Sequence, residues 1–336
     1  MPVSLSRQYA TWISAFLLFT LSAPLRAESY AAHPEFKKFL VEVVSEDIYP
    51  KEQLLQLIAG AERKEDILEA IARPAEKTFT WARYRKIFLT EDRINQGVAF
   101  YKQHSDTFKR AAEVSGVPEE MILAILGVET RYGAHRGSYR VLDALATLGF
   151  DYPPRAAFFR KQLKEFLRLE KEAGIDLTAA KGSYAGAMGY PQFIPSSYRH
   201  YAVDFDGDKK IDLIDNPVDA IGSIANYFKE HGWKPGAPVT TPARFLKSNH
   251  HPDLNDVVNQ GLKPGFTVAE LINRGLVPDL NVANDARATA WLLEGPEGNE
   301  YWIGLHNFYV ITRYNHSELY AMAAWQLSQA LKEKLK

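Results

Sequence analysis

Glu129 closes a nearly unbroken apolar run, Met121-Ile122-Leu123-Ala124-Ile125-Leu126-Gly127-Val128, where a carboxylate is costly. Ser115-Gly116-Val117-Pro118-Glu119-Glu120 ahead of it reads as a helix start, with proline suited to the first turn and acidic side chains to the positive end of the dipole. Helical spacing sets Glu129 on one face with Leu126, Ile125 and Ile122, and a helix apolar on nearly every side is normally buried. Desolvation disfavours the charged form. The carboxyl is therefore expected to move from about 4.3 toward roughly 6 to 7, the range that suits a general acid near neutral pH. The competing reading is a structural Glu bonded to a neighbouring helix or neutralised by a base from elsewhere, since Arg131 is two residues away and cannot share its face.

A second acidic cluster, Asp204-Phe205-Asp206-Gly207-Asp208-Lys209-Lys210-Ile211-Asp212-Leu213-Ile214-Asp215, puts carboxylates at loop positions one, three, five, nine and twelve, with the Lys210 carbonyl at seven. Hard oxygen donors at this spacing suit a structural calcium ion. Lys209 stands where an EF-hand carries glycine, and Asp215 replaces the longer bidentate Glu. A stable polar loop without metal is the alternative. Asn216 and Pro217 look like an N-cap and first helical residue, which places Asp219 at the third helical position. Paired-carboxylate acid/base chemistry needs a second carboxyl group, and spacing identifies no partner for Glu129. Asp143, Asp151 and Glu165 are reachable through folding, but each reads more simply as a solvated or capping residue. No zinc helix, phosphate-cradling loop or Gly-x-Ser-x-Gly elbow occurs. His135, His200, His231, His250 and His251 are scattered and read as surface or capping residues.

The elements that must position these groups are mostly helical. Apolar residues recur at three- and four-residue intervals over 34–44 and 51–71, with Pro74 breaking the second run. Residues 91–113 read as one longer helix, and 155–173, ending at Gly174, as an amphipathic one with Phe158, Phe159, Leu163, Phe166 and Leu167 inside. Segment 181–197 is rich in Gly, Ser, Tyr and Pro, the mark of a tight turn with close backbone approach. Beyond 235, Pro and Gly become frequent and 288–293 is strand-like; a closing helix is expected over 317–335. The division predicted is a signal peptide at 1–27, an N-terminal helical region at 28–75, a catalytic core at 76–234 containing the acidic loop 204–219, a small mixed subdomain at 235–300, and a C-terminal segment at 301–336 returning to the core.

The 336 residues suffice for a sizeable core. With 40 Lys+Arg against 41 Asp+Glu, nothing favours nucleic acid or a strongly basic membrane-facing surface. The absence of cysteine excludes disulfides, thiolate metal sites, a cysteine nucleophile and lipid attachment. Arg7, the apolar stretch 12–21 and Ala23-Pro24-Leu25-Arg26-Ala27 fit a secretory signal cleaved after Ala27, too short for a span of about 20 residues.

Gly127-Val128-Glu129-Thr130-Arg131-Tyr132-Gly133 resembles the catalytic motif of the lytic murein transglycosylase B family. The likeness continues through Gly182-Ser183-Tyr184-Ala185-Gly186-Ala187-Met188-Gly189-Tyr190-Pro191-Gln192-Phe193-Ile194-Pro195-Ser196-Ser197-Tyr198 and Asp219-Ala220-Ile221-Gly222-Ser223-Ile224-Ala225-Asn226-Tyr227-Phe228, ending near Tyr314-Asn315. It implies a mainly α (α+β) chain with a lysozyme-like catalytic core that cleaves peptidoglycan between N-acetylmuramic acid and N-acetylglucosamine. In that family one Glu protonates the glycosidic oxygen and then acts as base toward the C6 hydroxyl of the same muramic acid, closing a 1,6-anhydro ring. The tethered hydroxyl replaces a bound water at high effective concentration.

The same resemblance implies Ser183 and Gln192 as polar sugar contacts, Tyr84, Tyr227, Tyr314, Asn315 and Tyr320 as groove lining, and Arg155 as a basic groove position. Pro154 stands where the family can carry a second arginine, and an acidic loop of extended length would make Asp219 an alternative final ligand. No cofactor is implied for catalysis. The expected protein is a periplasmic monomer acting on glycan strands, with cell-wall synthesis or division complexes as further partners. The rivals are a hydrolytic muramidase of the same fold and an inactive peptidoglycan-binding protein.

Overall fold

The computed structural model describes residues 30–73, 79–246 and 254–336 of the chain. From the N-terminus, α1 (Pro34–Ser45), α2 (Lys51–Ala59) and α3 (Glu65–Ile71) form an outer layer, followed by α4 (Trp81–Phe88), α5 (Glu91–Ser115) and α6 (Glu119–Thr130). Next come β1 (Tyr139–Arg140), α7 (Val141–Asp151), α8 (Ala156–Ala173), β2 (Lys181–Gly182), α9 (Pro195–Tyr201) and α10 (Pro217–Glu230). The remainder contains β3 (Thr240–Phe245), β4 (Phe266–Thr267), α11 (Val268–Asn273), β5 (Leu276–Pro278), β6 (Arg287–Gly295), β7 (Gly298–Gly304), α12 (His306–Thr312) and α13 (Glu318–Leu335). No helix among the described residues is long and apolar enough to cross a membrane.

Three apolar clusters organise these elements. The first surrounds α6, whose residues 121–128 are all buried, with α5, α10 and α13 packed around it. Each fully buried Leu or Ile there contributes roughly 1.5–3 kcal/mol. The second joins Phe36, Phe39, Leu54, Ile58 and Ile67 of the N-terminal layer to α7 and α8. Tyr314 packs against both. The third lies under an antiparallel five-stranded sheet of order β4-β6-β7-β3-β5. Alternation along β6 explains how that sheet attaches: Trp291 and Leu293 point into the α6 cluster while Ala288 and Ala290 face the sheet's own core. β7 runs across the expected 300/301 division.

Two helices replace the single run expected over 51–71. The chain leaves α2 at Gly60 because the next backbone is held by α7: the Glu62 amide donates to Asp143 Oδ1 (2.9 Å) and the Lys64 amide to Thr147 Oγ1 (3.1 Å). Pro74 and the proposed signal segment lie outside the described residues, as do His250 and His251. The long helix over 91–113 extends to Ser115, where Gly116 at φ 72° ends it, and bends at His104.

Candidate active site

Glu129 sits half-buried in the last turn of α6. That helix stops because Arg131, Tyr132 and Gly133 adopt φ of 52°, 59° and 90° in succession. For the two non-glycine residues this conformation costs roughly 1–2 kcal/mol each, so tertiary packing must hold it. Tyr132 supplies that packing: its ring lies between Gly97 of α5 and Gly127 of α6, where an added Cβ would come within 2.4 and 2.6 Å of its hydroxyl. Gly133 gives way to the Tyr190 ring, 2.1 Å from the position a Cβ would occupy.

The Tyr320 hydroxyl, in the first turn of α13, donates to Glu129 Oε1 at 2.5 Å. The Ser317 side chain caps that turn by accepting from the Tyr320 amide. Tyr314 is stacked beside Tyr320 at 6.4 Å with ring planes 11° apart, and Tyr227 lies 4.8 Å from Tyr314. The other two hydroxyls are pinned to backbone, Tyr314 donating to the Pro191 carbonyl (2.7 Å) and Tyr227 to that of Arg313 (2.5 Å). Burial, reinforced by the Glu129 charge, pushes the Tyr314 and Tyr320 phenols well above their ordinary range. Burial does the same to Tyr227. All three stay protonated at working pH and serve as donors.

Beside this cradle opens a cavity of ≈ 310 Å³ whose lining includes Arg155, Gln192, Tyr227, Arg313, Tyr314 and His316. Arg155 is exposed, its guanidinium over the Phe158 ring at 4.3 Å. Desolvation, then the Arg313 and Arg155 charges, lower the His316 pKa. The Gly-rich segment forms one cavity wall through bridges Gly182↔Met188 and Met188↔Phe193. Within it Ser183 Oγ accepts from the Ala185 and Ala187 amides, and Gln192 Nε2 donates to the Arg136 and Gly189 carbonyls. Both polar side chains thus shape the wall.

Not every expected residue gathers here. Tyr84 is 2% exposed and packs on Phe88 in the α6 cluster, so it backs the cradle without lining the cavity. Asn315 lies between Tyr314 and His316, its carbonyl accepting from the Ser317 amide. Asp143, Asp151 and Glu165 are committed elsewhere, to Arg140, to Tyr30 with Arg63, and to Arg199. Asp143 is buried, where the sequence suggested a solvated or capping residue. Arg313 and His316 were missed, although their adjacency to Tyr314-Asn315 is a usable signal; Arg93, beneath the end of α6, has no sequence signal.

In the acidic loop Asp204, Asp206 and Asp219 bring carboxylate oxygens within 4.8 Å of one another. Asp219 is fully buried, and burial followed by the charges of Asp206 and Asp204 raises its pKa despite bonds from the Phe205 and Asp212 amides. Such an all-oxygen set fits a hard cation, whose charge would offset this repulsion. Asp215 leaves the expected ligand set to pair with Arg136 at 2.9 Å. The Asp208 carboxylate accepts from the Lys210 amide. Lys209 takes the left-handed φ of 71° that a glycine would adopt more readily.

The profile of the transglycosylase SLT domain matches residues 31–329, and the chain belongs to that family. It is 43% identical over 311 residues to the membrane-bound lytic murein transglycosylase B of Escherichia coli strain K12, covering 90% of this chain and 84% of the relative. Among solved structures it matches the soluble lytic transglycosylase SltB1 of Pseudomonas aeruginosa with a TM-score of 0.84 and 48% identity, over 90% of this chain and 99% of that one. The Escherichia coli lytic transglycosylase Slt35 in complex with calcium gives a TM-score of 0.82 at 43% identity, over 91% and 95%. The mainly helical, lysozyme-like core expected from the motifs is thereby established, and the chain is a lytic murein transglycosylase.

Proposed function

We infer that this chain cuts the β-1,4 bond between N-acetylmuramic acid and N-acetylglucosamine with Glu129 as its single acid and base. The observation that carries the reading is the Tyr320-held Glu129 carboxyl beside a tyrosine-lined cavity, with Asp143, Asp151 and Glu165 tied to structural partners. Glu129 gives its proton to the glycosidic oxygen, which leaves as the 4-hydroxyl of N-acetylglucosamine. The resulting carboxylate takes the C6 hydroxyl proton as that oxygen bonds to C1, and water is not consumed. Tyr320 orients the carboxyl and the neighbouring rings cover apolar sugar faces. Ser183 and Gln192 position the wall, and Arg155 meets an anionic part of the substrate at the cavity rim.

Mass spectrometry of muropeptides released from purified peptidoglycan, with Glu129→Gln alongside, tests this. Anhydro-muramyl ends absent from the variant are expected. Reducing ends would mean a hydrolase, and glycan binding without release a binding protein.

Calcium is assigned to Asp204, Asp206, Asp208, the Lys210 carbonyl and Asp219 as a structural ion holding the loop against α10. The cation would raise Tm relative to chelator in wild type and lose that effect in Asp206→Asn; equal shifts in both would remove the assignment. A secretory signal over 1–27 places the enzyme in the periplasm, which N-terminal sequencing of the mature protein checks. Because Glu129 and Tyr320 belong to one chain, a monomer suffices.

A further inference from the structure

The last turn of α6 gives up part of its own hydrogen-bond ladder. The amides of Arg131 and Tyr132 both turn to the Leu126 carbonyl, and the Gly127 carbonyl is taken by the Arg93 guanidinium reaching across from α5. The same guanidinium donates to the Ile87 carbonyl at the end of α4 (3.1 Å) and lies over the Phe88 ring at 5.2 Å. One cation therefore closes the negative ends of two helices.

Its setting is unfavourable. Among the described residues Arg93 Nε is buried without a hydrogen-bond partner, as is the Tyr132 hydroxyl, and the charge that bears on Arg93 is that of Arg131. Half-burying a guanidinium with no counter-ion among the described residues contributes little stability, because an apolar side chain of similar length would fill the buried part of the space without the desolvation cost. What such an apolar chain could not supply is a donor to the carbonyl two residues before Glu129. Beside that donor, one turn further along α5, the Tyr132 ring wedges between Gly97 and Gly127, so α5 holds the helix end at two successive points.

We propose that Arg93 is a positioning residue for Glu129: with the Tyr132 wedge it fixes the end of α6 at the height where the Glu129 carboxyl meets the Tyr320 hydroxyl. The proposal rests on the reading of Glu129 as acid and base. Arg93 lies outside the cavity lining, so its loss should act on the chemical step and spare binding. A displacement of about 1 Å at a reacting group costs on the order of 10²-fold in rate.

The test measures rates of anhydro-muropeptide release against concentration of soluble glycan strands, for wild type, Arg93→Met, Arg93→Lys and Glu129→Gln. Melting curves correct each rate for folded fraction. Arg93→Met is expected to lower kcat by roughly 10- to 10²-fold with KM unchanged. Arg93→Lys should recover part of that loss, because an ammonium reaches the Gly127 carbonyl but cannot fork to both helices. Wild-type kcat in Arg93→Met, a loss explained entirely by unfolding, or a loss expressed in KM overturns the proposal. An inactive Glu129→Gln beside a fully active Arg93→Met removes the positioning role alone, whereas a Glu129→Gln that still cleaves removes the reading beneath it.

Discussion

Glu129 and Asp219 are both carboxylates at helix ends, and they are held in opposite ways. Asp219, near the start of α10, accepts from the amides of Phe205 and Asp212, backbone groups 14 and 7 residues away. Glu129, at the end of α6, accepts from a phenol 191 residues away on another helix. Backbone partners clamp a loop and move only if the loop does. A side-chain partner orients a carboxyl and can follow it as its charge changes, which suits proton transfer. Under the roles proposed for them, the partners shown here separate the two carboxylates better than burial does, since Asp219 is the more deeply buried of the two.

The largest expected effect that would break this contrast is at Glu129. Glu129→Gln should lower turnover by at least about 10³-fold with little change in Tm; activity surviving in that variant would return Glu129 to the structural class. Tyr320→Phe comes next. Loss of a hydrogen bond to a charged group, worth roughly 1.5–3 kcal/mol, corresponds to about 10- to 10²-fold in kcat, read by steady-state kinetics on glycan strands. Asp219→Ala should invert the pattern: two backbone amides lose their acceptor, so denaturant unfolding should show a loss of roughly 2–3 kcal/mol, while kcat per folded molecule persists.

The smallest effect is in the pH dependence of stability, where the two regions carry opposite signs. Burial lowers the His231 and His316 pKa values beside the cavity. Below about 6.5 the unfolded chain takes protons that these folded groups refuse, so they lose stability as pH falls toward their folded values. The raised Asp219 pKa works the other way, adding stability as pH drops through its folded value toward about 3.9. Melting in chelator across pH 7.5 to 4 should therefore show a shallower acid decline for His316→Gln than for wild type, and a steeper one for Asp219→Asn.

What could be read from the sequence followed the same division. Glu129 announced itself as a carboxylate in an apolar run, and the acidic loop by local spacing. The N-cap at Asn216 and the turn of α10 were legible because their contacts are local. The loss of Asp215 to Arg136, the break of 51–71 over Asp143 and Thr147, and the Arg93 bond to Gly127 were not, because each pairs residues 34 to 83 positions apart with no periodic trace. Tyr320 was reached only through family resemblance. The Ser183 contacts and the Gln192 bond to Gly189 are local, whereas the Gln192 bond to Arg136 spans 56 residues, and types alone leave sugar contact and turn satisfaction equally open.

The reach from Glu129 to Tyr320 also orders the enzyme's making. Synthesis proceeds from the N-terminus, so the acid exists, on a helix already able to find α5, long before the residue that aims it. Because α13 follows the other described elements and packs on α5 and α6, the bond between Glu129 and Tyr320 cannot form until the 191-residue separation has been made. A chain cut short before residue 318 would carry Glu129 without the phenol that orients its carboxyl.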